Sequence, residues 1–158
     1  MKRIILLAIC LCPITAFSQS MNAKVELNPV GSFEVTTKTI RGSVSKKDGK
    51  LVAQNIRIPV RNLTSSNETR DHHLKEKLEM KKNPNIIIEK AIGINSKGTA
   101  LIKLRGVSKK VSFNYTQSAS KVDVSFKLNL KEFGISGINY MGVGVQDIVN
   151  VTATLPIK

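Results

Sequence analysis

Arg70-Asp71-His72-His73 is the densest group of chemistry-capable side chains in the chain, and its two histidines are the only ones present. An aspartate beside two histidines has the donor types for a metal site or an acid–base pair. The spacing argues against both. Neighbouring helical positions point about 100° apart, so the two imidazoles cannot readily bind one ion. No third ligand stands out, and no Ser, Cys or Glu motif supplies a nucleophile. Two readings remain. In one the group is structural, with Asp71 capping backbone amides and Arg70 tying a loop across one end of the fold. In the other, Arg70, Asp71, His72 and His73 are candidates for contacting a ligand head group, since a planar guanidinium grips phosphate or carboxylate bidentately. No catalytic residue, metal or cofactor is expected. Lys103, Arg105, Lys109 and Lys110 form a basic run, with Lys81 and Lys82 nearby. That run reads as a solvated face or as a contact for anionic head groups or an anionic membrane surface. Gly134, Gly137, Gly142 and Gly144 lack the spacing and the following helix of a nucleotide loop.

The Arg-Asp-His-His group lies in 64–84, the one stretch that breaks an otherwise alternating chain. Ser65 and Glu68 have capping-box spacing. Asp71 and Lys75 form an i,i+4 pair in the favourable direction, and Leu74 and Leu78 share a face. Pro84 steers the residue before it out of the α region and marks the expected stop. The pattern predicts one short helix after the third strand.

The elements around it alternate with the period of β-strands: 24–27, 32–45, 50–61, 85–94, 99–105, 111–115, 121–130 and 147–157. Asp48-Gly49 between two such runs is a strong hairpin signal. Further turns are expected at 28–31, 95–98, 107–110 and 118–120, with 133–146 a glycine-punctuated connection. The inward faces would carry Phe33 and Val35, then Ile56, Ile58 and Val60, then Ile86 and Ile88. Ile102 and Leu104 follow, then Phe113 and Tyr115, then Val122, Val124, Phe126 and Leu128, and last Val149 and Val151. About eight strands, each with one apolar face, need a second sheet or closure on themselves. A barrel of that size holds packed side chains or one slender ligand. In one reading these residues simply pack together, in the other they line a cavity; the aliphatic, nearly polar-free list favours the lining reading, since it suits a hydrocarbon chain.

At the N-terminus, Lys2 and Arg3 precede an apolar run and the small-residue pattern Ala16-Phe17-Ser18. This is the layout of a secretory signal peptide, residues 1–18, cut near Ser18. The run is shorter than the roughly 20 residues a membrane span needs. Residues 19–158 are then one exported domain, periplasmic or secreted. Both cysteines, Cys10 and Cys12, leave with the signal, so the domain stands on packing without disulfides. Removing Lys2 and Arg3 lowers the formal charge from +14 to +12. A basic exported domain favours anionic partners. Nucleic acid is excluded by compartment and by the scarcity of aromatic stacking platforms. The sequence does not separate a monomer from a homodimer.

Several of these residues together resemble the YceI family. Thr64 with Arg70-Asp71-His72-His73-Leu74 is similar to that family's Thr…Arg-Asp-x-His-Leu signature, and Pro84 sits where the family has a proline before an extended segment. The stretch from Gly98 to Val111 is similar to its Gly-x-Leu-x-Ile-x-Gly-Val-x-x-x-Val pattern. Phe133-Gly134-Ile135, then Val145, Asp147 and Val149, resemble its C-terminal motif. The resemblance spans nearly all of 19–158. It implies an exported, all-β, lipocalin-like antiparallel barrel enclosing a polyisoprenoid or other long-chain lipid, and a binding protein, not an enzyme. Departures occur at Asn83, at Leu78-Glu79-Met80 and at Lys110, and Trp is absent. These bear on ligand identity and cavity shape. The alternative function is an envelope stress-response protein with a packed barrel whose basic surface binds an anionic partner.

Overall fold

The computed structural model describes residues 18–140 and 142–158; the expected signal peptide therefore lies, Ser18 apart, outside the described residues. The strands are β1 (Ser20–Asn28), β2 (Ser32–Thr37), β3 (Val44–Lys47), β4 (Lys50–Pro59), β5 (Asn85–Ile94), β6 (Lys97–Leu104), β7 (Val107–Gln117), β8 (Lys121–Asn129), β9 (Asn139–Tyr140) and β10 (Val143–Pro156). One helix, α1 (Glu68–Lys77), falls between β4 and β5. All belong to one antiparallel sheet in the order β2-β1-β10-β8-β7-β6-β5-β4-β3, with β9 beside β10. The two edge strands are consecutive in sequence, so the sheet curls round to meet itself. Its seam is made of single bridges and not a full ladder: Thr36 to Thr64, Arg41 to Arg57 and Val44 to Ile157.

The strand count exceeds the expected eight because 32–45 is two strands and β9 is added. The break has a local cause. Thr37 folds its hydroxyl onto the Thr39 N–H at 3.1 Å, and Gly42 takes a φ of +129° while packed against Ile56. A Cβ there would stand 3.0 Å from the Ile56 side chain, so the corner needs glycine. Three hairpins close through two-residue loops whose residues all have positive φ: Asp48-Gly49, Asn95-Ser96 and Arg105-Gly106. These are the loops whose twist matches that of paired strands. The turn expected at 107–110 is thus replaced by Arg105-Gly106, and Val107 to Lys110 belong to β7.

Two irregularities set which residues face inward. In β4, Leu51 and Ala53 are buried, Asn55 takes a φ of +52°, and thereafter Ile56 and Ile58 are buried. In β5 the register slips between Ile88 and Lys90. The extra residue switches the inward set from odd to even numbers in β4 and from even to odd in β5, and each tightens the coil.

The wall also has a slot. β7 pairs with β8 only from Phe113 to Gln117, leaving the other half of β7 with β6 alone. A 3-10 turn, Leu130–Phe133, lies against β7 and β10 there. It buries Phe133 to 1% exposure and, just beyond, Ile135 to 4%. Gly134 between them takes the left-handed conformation, and its carbonyl accepts from Arg105 Nη1. Arg105 therefore leaves the predicted basic run. Its Nη2 and Nε donate to Glu79 Oε1 at 2.7 and 3.0 Å, joining the β6–β7 turn, the slot segment and the end of α1. Among the described residues no helix is long and apolar enough to cross a membrane.

Candidate functional site: an apolar cavity beneath the helix

α1 begins at Asn67, whose Oδ1 accepts from the Arg70 N–H at 3.0 Å; the expected capping box of Ser65 and Glu68 does not form. Ser65 is engaged otherwise, because Asp71 gathers the preceding loop. Ser65 Oγ and N–H both donate to Asp71 Oδ1 at 2.6 Å, and Thr64 Oγ1 donates to Oδ2 at 2.7 Å. Burial opposes ionisation of Asp71. The hydrogen bonds from Ser65 and Thr64, with the charge of Lys75, outweigh it and hold the carboxyl below the ordinary aspartate value. The helix ends at Lys77, well before Pro84. Glu79 takes a φ of +51°, and the N–H groups of Glu79 and Met80 donate to the carbonyls of Glu76 and Lys75. That pattern satisfies the last carbonyls without a glycine.

One face of α1, carrying Arg70, His73, Leu74, Lys77 and Leu78, borders the opening of an interior cavity of about 890 Å³. The Arg70 guanidinium lies 4.3 Å from the centre of the Phe33 ring, a cation–π contact that parks the charge at the rim. Asn67, Thr69, Glu76 and Asn139 complete the polar part of the lining. Of the four head-group candidates, Arg70 and His73 are at the opening and the other two are not. Asp71 is turned into its loop. His72 is exposed and pairs with Glu76 at 3.2 Å. The two imidazole centres stand 6.2 Å apart.

The expected inward residues divide between two adjoining chambers that share part of their walls. Phe33, Val35, Ile86, Leu104, Leu128 and Val149 line the large mouth chamber. Ile56, Phe113, Val122 and Val124 line a smaller, deeper space of about 90 Å³. Ile58, Ile88, Ile102, Phe126 and Val151 border both. Two residues are placed elsewhere. Val60 begins a 3-10 turn after β4, its N–H bonded to the Pro84 carbonyl, and is packed solid at 1% exposure. Tyr115 is buried in neither chamber lining, with its ring seated on Gly93.

Several lining residues escaped the sequence reading. Met21, Ala23, Val25 and Leu27 of β1 alternate into the cavity, whereas the sequence pattern marks this strand only from Lys24. Leu74, Lys77 and Leu78 stand at i+4, i+7 and i+8 from Arg70, so helical spacing alone could have found them. In the deep chamber, Ala100 and Ala153 follow the alternation of Ile102 and Leu104 and of Val149 and Val151, whereas Ala53 and Ala91 carried no such cue.

The model of the YceI-like domain matches residues 19–157. This chain belongs to the YceI-like family. Among solved structures, BcnA of Burkholderia cenocepacia superposes with a TM-score of 0.68 at 13% identity, covering 89% of this chain and 96% of that one. A polyisoprenoid binding domain from Saccharophagus degradans, implicated in plant cell wall breakdown, gives 0.62 at 11% identity, covering 87% and 91%. The Campylobacter jejuni YCEI protein gives 0.55 at 21%, covering 82% and 87%. These likenesses show a shared fold. Among curated proteins none matches the sequence. The YceI-like fold is thus present here with its interior open, not plugged solid.

Proposed function

We propose that this YceI-like protein is an exported lipid-binding protein that holds a polyisoprenoid or other single long-chain amphiphile in its barrel for storage or transport, and is not an enzyme. The observation that carries this is the cavity of about 890 Å³, walled by aliphatic side chains and rimmed by Arg70, His73 and Lys77. Its size falls in the range of small-molecule sites. Burying a CH₂ contributes roughly 0.8 kcal/mol, so the tail supplies most of the affinity. Ordering a flexible tail consumes part of that, and real affinities level off near about 20 kcal/mol. The polar rim then decides orientation: a carboxylate or phosphate head stays at the mouth beside Arg70 and Lys77. The polyisoprenoid-binding relative supports the same class of ligand.

Export to the periplasm or medium, after cleavage near Ser18, fits the N-terminal charge and apolar run and the absence of cysteine from 19–158. An anionic membrane surface is the partner that suits a basic domain whose opening carries cations; the binding unit is a monomer or homodimer. The test is to express the full chain in a Gram-negative host, recover the processed protein from the periplasm, and extract and identify its lipid by mass spectrometry. A single-tailed amphiphile near one per chain is expected. Protein that stays in the cytoplasm, or yields no lipid, would overturn the reading.

A further inference from the structure

We infer that the deep chamber is a length gauge for the ligand's tail, with Ala91 and Phe113 as its specificity-determining residues; this rests on the lipid-binding reading above. The chamber is walled entirely by apolar side chains, and an apolar space of this size stays dry and accepts apolar guests. It is reached through a waist formed by Met21, Ile58, Ile88, Ile102, Phe126 and Val151, the residues common to both chambers. A tail lying in the mouth chamber would pass this waist into the deep chamber, whose far side shares Met21, Val124 and Ala153 with a more polar recess of about 700 Å³.

The space exists because of a particular row across the sheet. Ala53, Ala91 and Ala100 face one another in register on β4, β5 and β6, and Ala153 of β10 also lines the chamber. Residues of ordinary core size there would fill it. The end is set by Phe113. Its ring lies over Gly98, the residue paired with it, where a Cβ would come within 2.3 Å of the ring. Glycine lets the ring lie flat against the sheet as a floor. At roughly 30 Å³ for a group the size of water or a methylene, about 90 Å³ admits only a few carbons. The gauge should thus distinguish tails differing by a few methylenes.

The experiment measures affinity for a homologous series of straight-chain fatty acids, each step two carbons longer, with the processed protein and its variants. In the wild type affinity should climb by about fourfold per methylene, the equivalent of roughly 0.8 kcal/mol, and then level off where the tail meets Phe113. Ala91→Leu should move that plateau a few carbons shorter, and Phe113→Leu should move it longer. Tails too short to pass the waist should bind all three proteins alike. Should Ala91→Leu fail to fold, Ala153→Val narrows the same chamber from another strand and carries the same expectation. Plateaus at one length in all variants would overturn the gauge while leaving lipid binding intact. No binding of any chain length would overturn both.

Discussion

At the mouth of the barrel, α1 and the slot segment are fastened by directional polar contacts: Asp71 to Thr64 and Ser65, and Arg105 to Glu79 and Gly134. At the far end, Phe113 and Tyr115 lie on Gly98 and Gly93, between the deep chamber and an outer recess of about 700 Å³. The contrast follows from what each end must do. Rings laid on glycines hold that end by close packing. A rim that admits an amphiphile must present polar groups to water and to a head group, and its irregular backbone must find hydrogen-bond partners outside the sheet ladder. The two ends should therefore fail differently when perturbed.

The largest effect is expected where both styles meet. Phe133→Ala, which empties the slot between β7 and β8, should cost about 3–5 kcal/mol in chemical denaturation, as large buried aromatics do; a loss below about 1 kcal/mol would show that the segment does not hold the wall. Gly98→Ala comes next. Its methyl meets the Phe113 ring and the Ile92 carbonyl at 2.3 and 2.5 Å, and overpacking of this kind costs about 1–3 kcal/mol. That loss should be the same at every pH and salt concentration.

Asp71→Asn at the mouth should cost about 1–2 kcal/mol near neutrality, the scale of hydrogen bonds to a charged group, and here pH matters. The folded carboxyl titrates below the ordinary aspartate value, so the unfolded chain binds more protons in the acid range. Asp71's contribution is thus complete above the unfolded value of about 3.9 and fades as pH falls through the folded one. The wild-type and Asn stability curves should converge on acidification; curves that stay parallel would deny Asp71 this role. Arg70→Ala should leave thermal stability within about 1 kcal/mol, the worth of one exposed cation–π contact. It should weaken an anionic amphiphile more than a neutral one of equal tail length. Equal losses for both would mean that Arg70 only packs on Phe33. The smallest effect belongs to His72→Ala, whose exposed pair with Glu76 is worth less than about 0.5 kcal/mol.

The same two ends differ in how far the residues alone revealed them. The all-β barrel, the helix before Pro84 and the Asp48-Gly49 hairpin were legible because each rests on local chemistry: alternation, capping types and a turn that wants positive φ. So was the structural engagement of Asp71, though its partners are Thr64 and Ser65 and the cap fell to Asn67. The deep chamber was hidden by the bulges at Asn55 and near Glu89. An alternation read straight through β4 and β5 assigns Ile56 and Ile86 correctly and misses Ala53 and Ala91, because one inserted residue exchanges the two faces. Arg105 misled for a related reason. Lys103, Lys109 and Lys110 stand near it in sequence, but a two-residue loop swings it toward Glu79 and Gly134, partners far away along the chain.

The central claim is that one long-chain amphiphile occupies the adjoining chambers with its head at α1. Native mass spectrometry of the processed protein tests this most directly. A bound species of one discrete mass near one per chain, lost on delipidation and restored by a single-tailed anionic lipid, is the predicted result. A bare chain mass that no such lipid shifts would contradict it.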